Sequence, residues 1–152
     1  MDIKKAITNF IIKNYQMVIA TSGEHPWIAT VYYSTDKDLN LYFLSDPNTL
    51  HCQQLLNNPK VAISIAKSPQ NPAHAKKGVQ LYGLAEQILD KEKIIAALNL
   101  WKKTLKVTSE TYSYEGMIKN KIKGRMFKVT LKKIKFFNQE LWEEGKEPIL
   151  NL

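Results

Sequence analysis

Between Met17 and Ser45 the chain packs three β-rich runs so closely that only tight turns fit between them. Met17–Ser22 (MVIATS), Trp27–Thr35 (WIATVYYST) and Leu39–Ser45 (LNLYFLS) are dominated by β-branched, aromatic and aliphatic residues. Gly23-Glu24-His25-Pro26 and Asp36-Lys37-Asp38 punctuate them. A parallel pairing would need a crossover of about a dozen residues or more, so the spacing predicts an antiparallel meander.

The other elements follow from periodicity. Residues 2–15 carry Ile3, Ala6, Ile7, Phe10 and Ile11 at helical spacing, one apolar stripe. Asp46-Pro47-Asn48-Thr49 offers an N-cap and a proline for the first helical position, predicting a short helix through Leu56 that Asn57-Asn58-Pro59 ends. Lys60–Ala66 alternates as a fourth strand, Ser68–Lys77 is the longest loop, and Gly78–Ile88 is a fifth strand in which Gly83 marks a bulge or close approach. Residues 90–105 form the strongest helix, with Ile94, Ile95, Leu98, Trp101 and Leu105 on one side, and residues 110–120 add a short one. In the last strand, Arg125–Phe137, Phe127, Val129 and Leu131 share one face while Ile134 and Phe136 have the opposite parity. A β-bulge at Lys132-Lys133 would bring both sets inward. The tail 138–152 carries Trp142 and packs on the barrel or on a second subunit. The whole, residues 1–152, is one domain: mainly β, a six-stranded antiparallel barrel, closed or partly open, with flanking helices, since closure removes exposed edges.

Charge and chemistry narrow the function less. With 22 Lys+Arg against 14 Asp+Glu the chain carries +8, concentrated late in Lys119, Lys121, Lys123, Arg125, Lys128, Lys132, Lys133 and Lys135. These read as a solvated face rather than as a selector of partners. A single cysteine, Cys52, excludes an internal disulfide framework, reads as a packed thiol and suits a cytoplasmic protein. No stretch reads as a membrane span or a secretory signal. Gly-rich phosphate loops, the Gly-x-Ser-x-Gly elbow and Cys-x-x-Cys are absent, and His25, His51 and His74 lack metal-ligand spacing, so no catalytic residue and no metal is assigned. The start of the helix after strand three, with Thr49 and His51, is the one candidate anion site, because helix N-termini present unpaired N–H groups and partial positive charge.

The stretch MVIATSGEHPWIATVYYSTDKDLNLYFLSDPNTLHCQQLLNNPKVAISI, followed by GVQLYGLAEQI, resembles the pyridoxamine 5′-phosphate oxidase-like, FMN-binding split-barrel family, nearest to a branch of small bacterial proteins. The likeness runs over about residues 5–137 and implies a Greek-key split barrel that forms a homodimer with FMN at the subunit interface. It places Thr30, Val31, Tyr32 and Tyr33 along the flavin and Leu44 and Ser45 at the end of strand three. The family's hydroxyl–Arg–Lys phosphate triplet falls on Thr49, Leu50 and His51, and the position facing the partner's flavin on Gln80. Leu50 and His51 depart from that triplet, and Lys76 or Lys77 is the expected compensating charge. In pyridoxamine phosphate oxidases a C-terminal segment holds the substrate phosphate with Arg and His. The tail FFNQELWEEGKEPILNL has neither, which argues against a vitamin B6 substrate. The expected function is an FMN-dependent oxidoreductase of unassigned substrate, with no membrane partner. A flavin store or sensor is the alternative, and a basic nucleic-acid-binding barrel a weaker one, because the aromatics and late lysines occupy different strands. Trp101 and Trp142 read as core or interface aromatics rather than a flavin cover.

Overall fold

The computed structural model describes residues 1–152 as α1 (Ile3–Ile12), β1 (Gln16–Thr21), β2 (Trp27–Thr35), β3 (Leu41–Ser45), α2 (Leu50–Asn57), β4 (Lys60–Ala66), β5 (Lys77–Gln87), α3 (Lys91–Leu105), α4 (Tyr114–Ile118), β6 (Arg125–Asn138) and β7 (Ile149–Asn151). The strands run β3-β2-β1-β4-β5-β6-β7, every pairing is antiparallel, and β3 also pairs with β6, which closes six of them into a barrel. The meander is therefore β1–β2–β3, as the turn spacing requires. The β2–β3 turn is fixed by one carboxylate. Asp36 Oδ1 accepts from the N–H groups of Asp38 (2.9 Å) and Asn40 (3.0 Å), and Oδ2 accepts from Asn40 Nδ2 (3.0 Å) and the Tyr42 hydroxyl (2.9 Å). Burial alone would raise this carboxyl, but the hydrogen bonds outweigh it and hold the group below its ordinary value.

The parity break in the last strand is a bulge. Tyr82 lies opposite Lys133 and Gly83 opposite Leu131, so Lys132 is the extra residue. Gly83 is required here: a Cβ would lie 2.6 Å from the Thr130 carbonyl oxygen and 2.8 Å from Val129 Cγ1. With the bulge in place, Phe127, Val129, Leu131, Ile134 and Phe136 all point into one core with Met17, Ile19, Tyr33, Leu41, Phe43 and Val79. The Phe43 and Phe127 rings stack across the closing seam, centroids 5.2 Å apart and 14° from parallel. Helix α1 plugs one end with Ile7 and Ile11, and the Tyr33 hydroxyl donates to the Ile11 carbonyl at 2.6 Å. Helix α2 covers the other end, where Gln54 accepts from the Thr21 hydroxyl (2.7 Å) and donates to the His25 carbonyl (3.0 Å).

A second, smaller core lies outside the barrel wall. Ala97, Leu98 and Trp101 of α3 pack with Met117 of α4 and Met126 of β6, against Tyr42 and Leu44. The tail packs on its own barrel: Trp142 meets Phe136 edge-on at 5.6 Å, and β7 pairs with Lys133–Lys135. Three residues, Ile149-Leu150-Asn151, are too few to announce that seventh strand by pattern. No helix of the protein is long and apolar enough to cross a membrane.

Candidate functional site

The end of β3 and the start of α2 form a small polar nest. Thr49 is the N-cap residue, yet its side chain does not cap the helix. Its hydroxyl instead donates back to the Asp46 carbonyl at 2.7 Å. The first-turn N–H groups have no intrahelical acceptor by the geometry of any α-helix, so this end keeps the character of an anion site. His51 departs from expectation. It is buried (9% exposed), with Nε2 2.7 Å from the Ser45 hydroxyl and 3.4 Å from that of Thr49. Burial holds its pKa below the ordinary histidine value, so at neutral pH it brings a hydrogen bond and no charge. Leu50 is exposed at 42% and brings neither. The Cys52 thiol next to them is fully buried, and burial pushes its pKa up, which keeps it protonated and inert.

The depressed His51 has a consequence for stability. Below about pH 6.5 the unfolded chain takes up a proton on this ring, while the folded chain does so only at lower pH. The stabilisation is therefore complete above the unfolded value and is lost as pH falls through the folded one. The urea midpoint should be lower at pH 5.5 than at pH 7.5, roughly the two sides of that titration, and the difference should shrink in His51→Gln.

The second element of the site is the outer face of the sheet. Alternation along β2 turns Val31 and Tyr33 into the barrel core and leaves Thr30 and Tyr32 outside, exposed. Only their backbone and the side chains of Thr30 and Tyr32 can meet a ligand from that side. Registers place Thr30, Val18, Ser64 and Gln80 in one row across β2, β1, β4 and β5, and Ile28, Ala20, Ala62 and Tyr82 in the next. Small side chains fill the middle of this face, while Ile28, Tyr32 and Tyr82 stand exposed around it. Thr30 and Gln80 are three strand spacings apart, about 14 Å.

The structure thus gathers Ser45, Thr49, Leu50 and His51 at one barrel end, sets Thr30 and Tyr32 on the adjoining wall, and keeps Gln80 apart. Leu44 belongs to the second core, where a Cβ on Gly124 would lie 2.7 Å from its Cγ. Within one chain, Lys76 and Lys77 lie away from the nest, the Lys76 backbone being bonded to Gln139. Lys77 opens β5 opposite Asn138, at the far end of β6 from the residues that pair with β3, and its ammonium binds Glu140 at 2.7 Å. The basic residues beside the nest lie on the loop before β6, since Arg125 is the register partner of Ser45. Arg125 holds this loop through the carbonyls of Ile122 (3.0 Å), Gly124 (2.9 Å) and Met117 (3.0 Å) and through Asn120 Oδ1 (3.0 Å), with Lys121 and Lys123 exposed on it. The sequence carried the charge cluster but not its address, which depends on the long-range closure of β3 on β6.

A closed antiparallel barrel with helices at its ends and against one side defines a split-barrel protein. The chain belongs to the pyridoxamine 5′-phosphate oxidase family, whose profile matches residues 3–137. A UPF0306 protein of Yersinia enterocolitica is 30% identical over 92 residues, covering 59% of this chain and 62% of the relative. The match thus spans less than two thirds of that relative's length. Two solved structures share the fold. An FAD-binding protein of Mesorhizobium loti superposes with a TM-score of 0.69 at 15% identity, covering 89% of this chain and 92% of that one. A heme-binding protein of Mycobacterium smegmatis gives 0.72 at 16% identity, covering 93% of this chain and 55% of the other.

Proposed function

We propose that this protein binds FMN between two copies of the chain and acts as a flavin-dependent oxidoreductase. The observation that carries the proposal is the uncapped start of α2 at the end of β3, beside an outer sheet face on which Thr30, Ala62, Ser64 and Gln80 are exposed. The helix start and the Ser45 hydroxyl fit the phosphate, and Thr30 and Tyr32 with the β2 backbone fit the flat ring system. Bound FMN supplies the hydride or electron transfer, and the protein supplies orientation and electrostatics. Gln80, about 14 Å from Thr30 within one chain, reaches such a ligand only from a second copy. The uncharged, small-residue middle of the wall suits burial against that copy. The tail covers Phe136 with Trp142 and adds β7 to the sheet. Having no Arg or His, it is ill suited to hold a vitamin B6 phosphate.

An absorption spectrum of the purified protein, followed by titration with FMN, tests the proposal. Flavin bands that bleach with NAD(P)H are expected. A protein that ignores added FMN, or that carries a Soret band instead, would overturn it, and a flavin inert to every reductant would mark a store rather than an enzyme. A gain of affinity gives a sharper check. Leu50→Arg restores a permanent charge at an exposed first-turn position, and a charge-assisted phosphate contact of about 1.5–3 kcal/mol should tighten FMN binding about tenfold or more in fluorescence titration.

A further inference from the structure

We propose that a cavity between β2 and the C-terminal end of α3 binds a flat aromatic acid. Its volume is about 560 Å³, and its walls include Tyr15, Tyr32, Trp101 and Tyr112. Small-molecule sites commonly measure about 300–1,000 Å³ and combine apolar walls with a few placed polar groups. The aromatic walls are held in position. Trp101 stacks on Tyr112 with centroids 5.9 Å apart and 19° between planes, and its Nε1–H donates to the Tyr32 carbonyl at 3.2 Å. Such walls accept planar rings by stacking and edge contacts.

Charge decides between the two guests that an aromatic cage takes. Lys106 is the only charged residue lining the cavity, and its ammonium is in no ion pair. It ends α3 in the left-handed conformation (φ 57°). A cation, the usual alternative for an aromatic cage, would be repelled, whereas a carboxylate finds its partner. A second observation shows where a polar substituent of the guest would bond. Thr104 also lines a smaller adjoining cavity of about 140 Å³, where the Ser34 hydroxyl, 1% exposed, has no hydrogen-bond partner. A polar substituent reaching past Thr104 would give that buried hydroxyl one. Tyr32 is common to this cavity and to the wall assigned to the flavin. The aromatic acid would therefore be a reactant beside FMN, and that role alone rests on the flavin proposal above.

Binding is tested with 2-naphthoate on the full-length chain by isothermal titration calorimetry, with and without FMN, using the uncharged 2-naphthalenemethanol for comparison. The expected result is saturable binding of one naphthoate per chain, about tenfold weaker for the alcohol and for Lys106→Gln, with no displacement by FMN. Tyr112→Ala should weaken binding as well; should it fail to fold, the exposed Lys106→Gln still decides. No saturable binding, an unchanged affinity in Lys106→Gln, or competition by FMN would each overturn the inference. FMN binding without naphthoate binding removes this inference and leaves the flavin proposal standing. Naphthoate binding without FMN binding does the reverse.

Discussion

Ala62→Arg is expected to turn the proposed two-chain FMN protein into a folded monomer whose flavin affinity has fallen about a hundredfold or more. Ala62 sits in the middle of the outer sheet face, in the row Ile28–Ala20–Ala62–Tyr82. Its side chain points to solvent and away from the core. A guanidinium there leaves the isolated barrel within about 0.5 kcal/mol of its original stability, as exposed substitutions generally do. In a two-fold interface the same residue occurs on both sides, so two arginines would be desolvated within it. A cost of several kcal/mol follows, and separation of the copies removes Gln80 from the ring assigned to the partner's wall. Gel filtration with light scattering and FMN titration read the two effects. A variant that stays dimeric, or a monomer that binds FMN at full strength, would separate the flavin site from the wall.

Phe127→Ala should cost about 3–5 kcal/mol, a large share of the roughly 5–15 kcal/mol that holds a domain together. The ring is fully buried and stacks on Phe43 across the seam where β3 meets β6. Truncation removes its transfer free energy and leaves a void between two strands that close the barrel, where the backbone has little freedom to collapse inward. The loss should appear as a large drop in the urea midpoint with little change in slope. A drop of less than about 1 kcal/mol, below the usual range for truncating a buried aromatic, would mean that packing at the seam does not hold the barrel closed. The contrast between Ala62 and Phe127 separates the two faces of one sheet: the outer substitution spares stability and destroys assembly, the inner one destroys stability.

Local pattern made most of this fold legible. The parity change between Leu131 and Ile134 announced the extra residue, which the structure identifies as Lys132. Tyr32 and Tyr33 had to point to opposite sides, and they do, Tyr32 out and Tyr33 in. What failed to show was whatever depends on distant chain segments meeting. His51 is legible in the sequence only as a residue of the helix start after strand three; the barrel end beneath α2 turns its ring in to Ser45, where burial removes its charge. Lys76 and Lys77 looked available because a loop of unknown course can end anywhere, whereas the strand registers put Lys77 beside Asn138, with its ammonium on Glu140. β7 is held by pairing with β6 rather than by any strong preference of its own three residues, so nothing in its composition could announce it. The cavity lined by Tyr15, Tyr32, Trp101 and Tyr112 draws on four separate segments and has no sequence signature for the same reason.

The proposed shared flavin site is tested most directly by sedimentation velocity of the purified protein with added FMN, followed at once in the protein and flavin absorption bands. One boundary at twice the chain mass, with both signals moving together at one flavin per chain, is the expected result. A boundary at the mass of a single chain with all the flavin left behind in solution would contradict it.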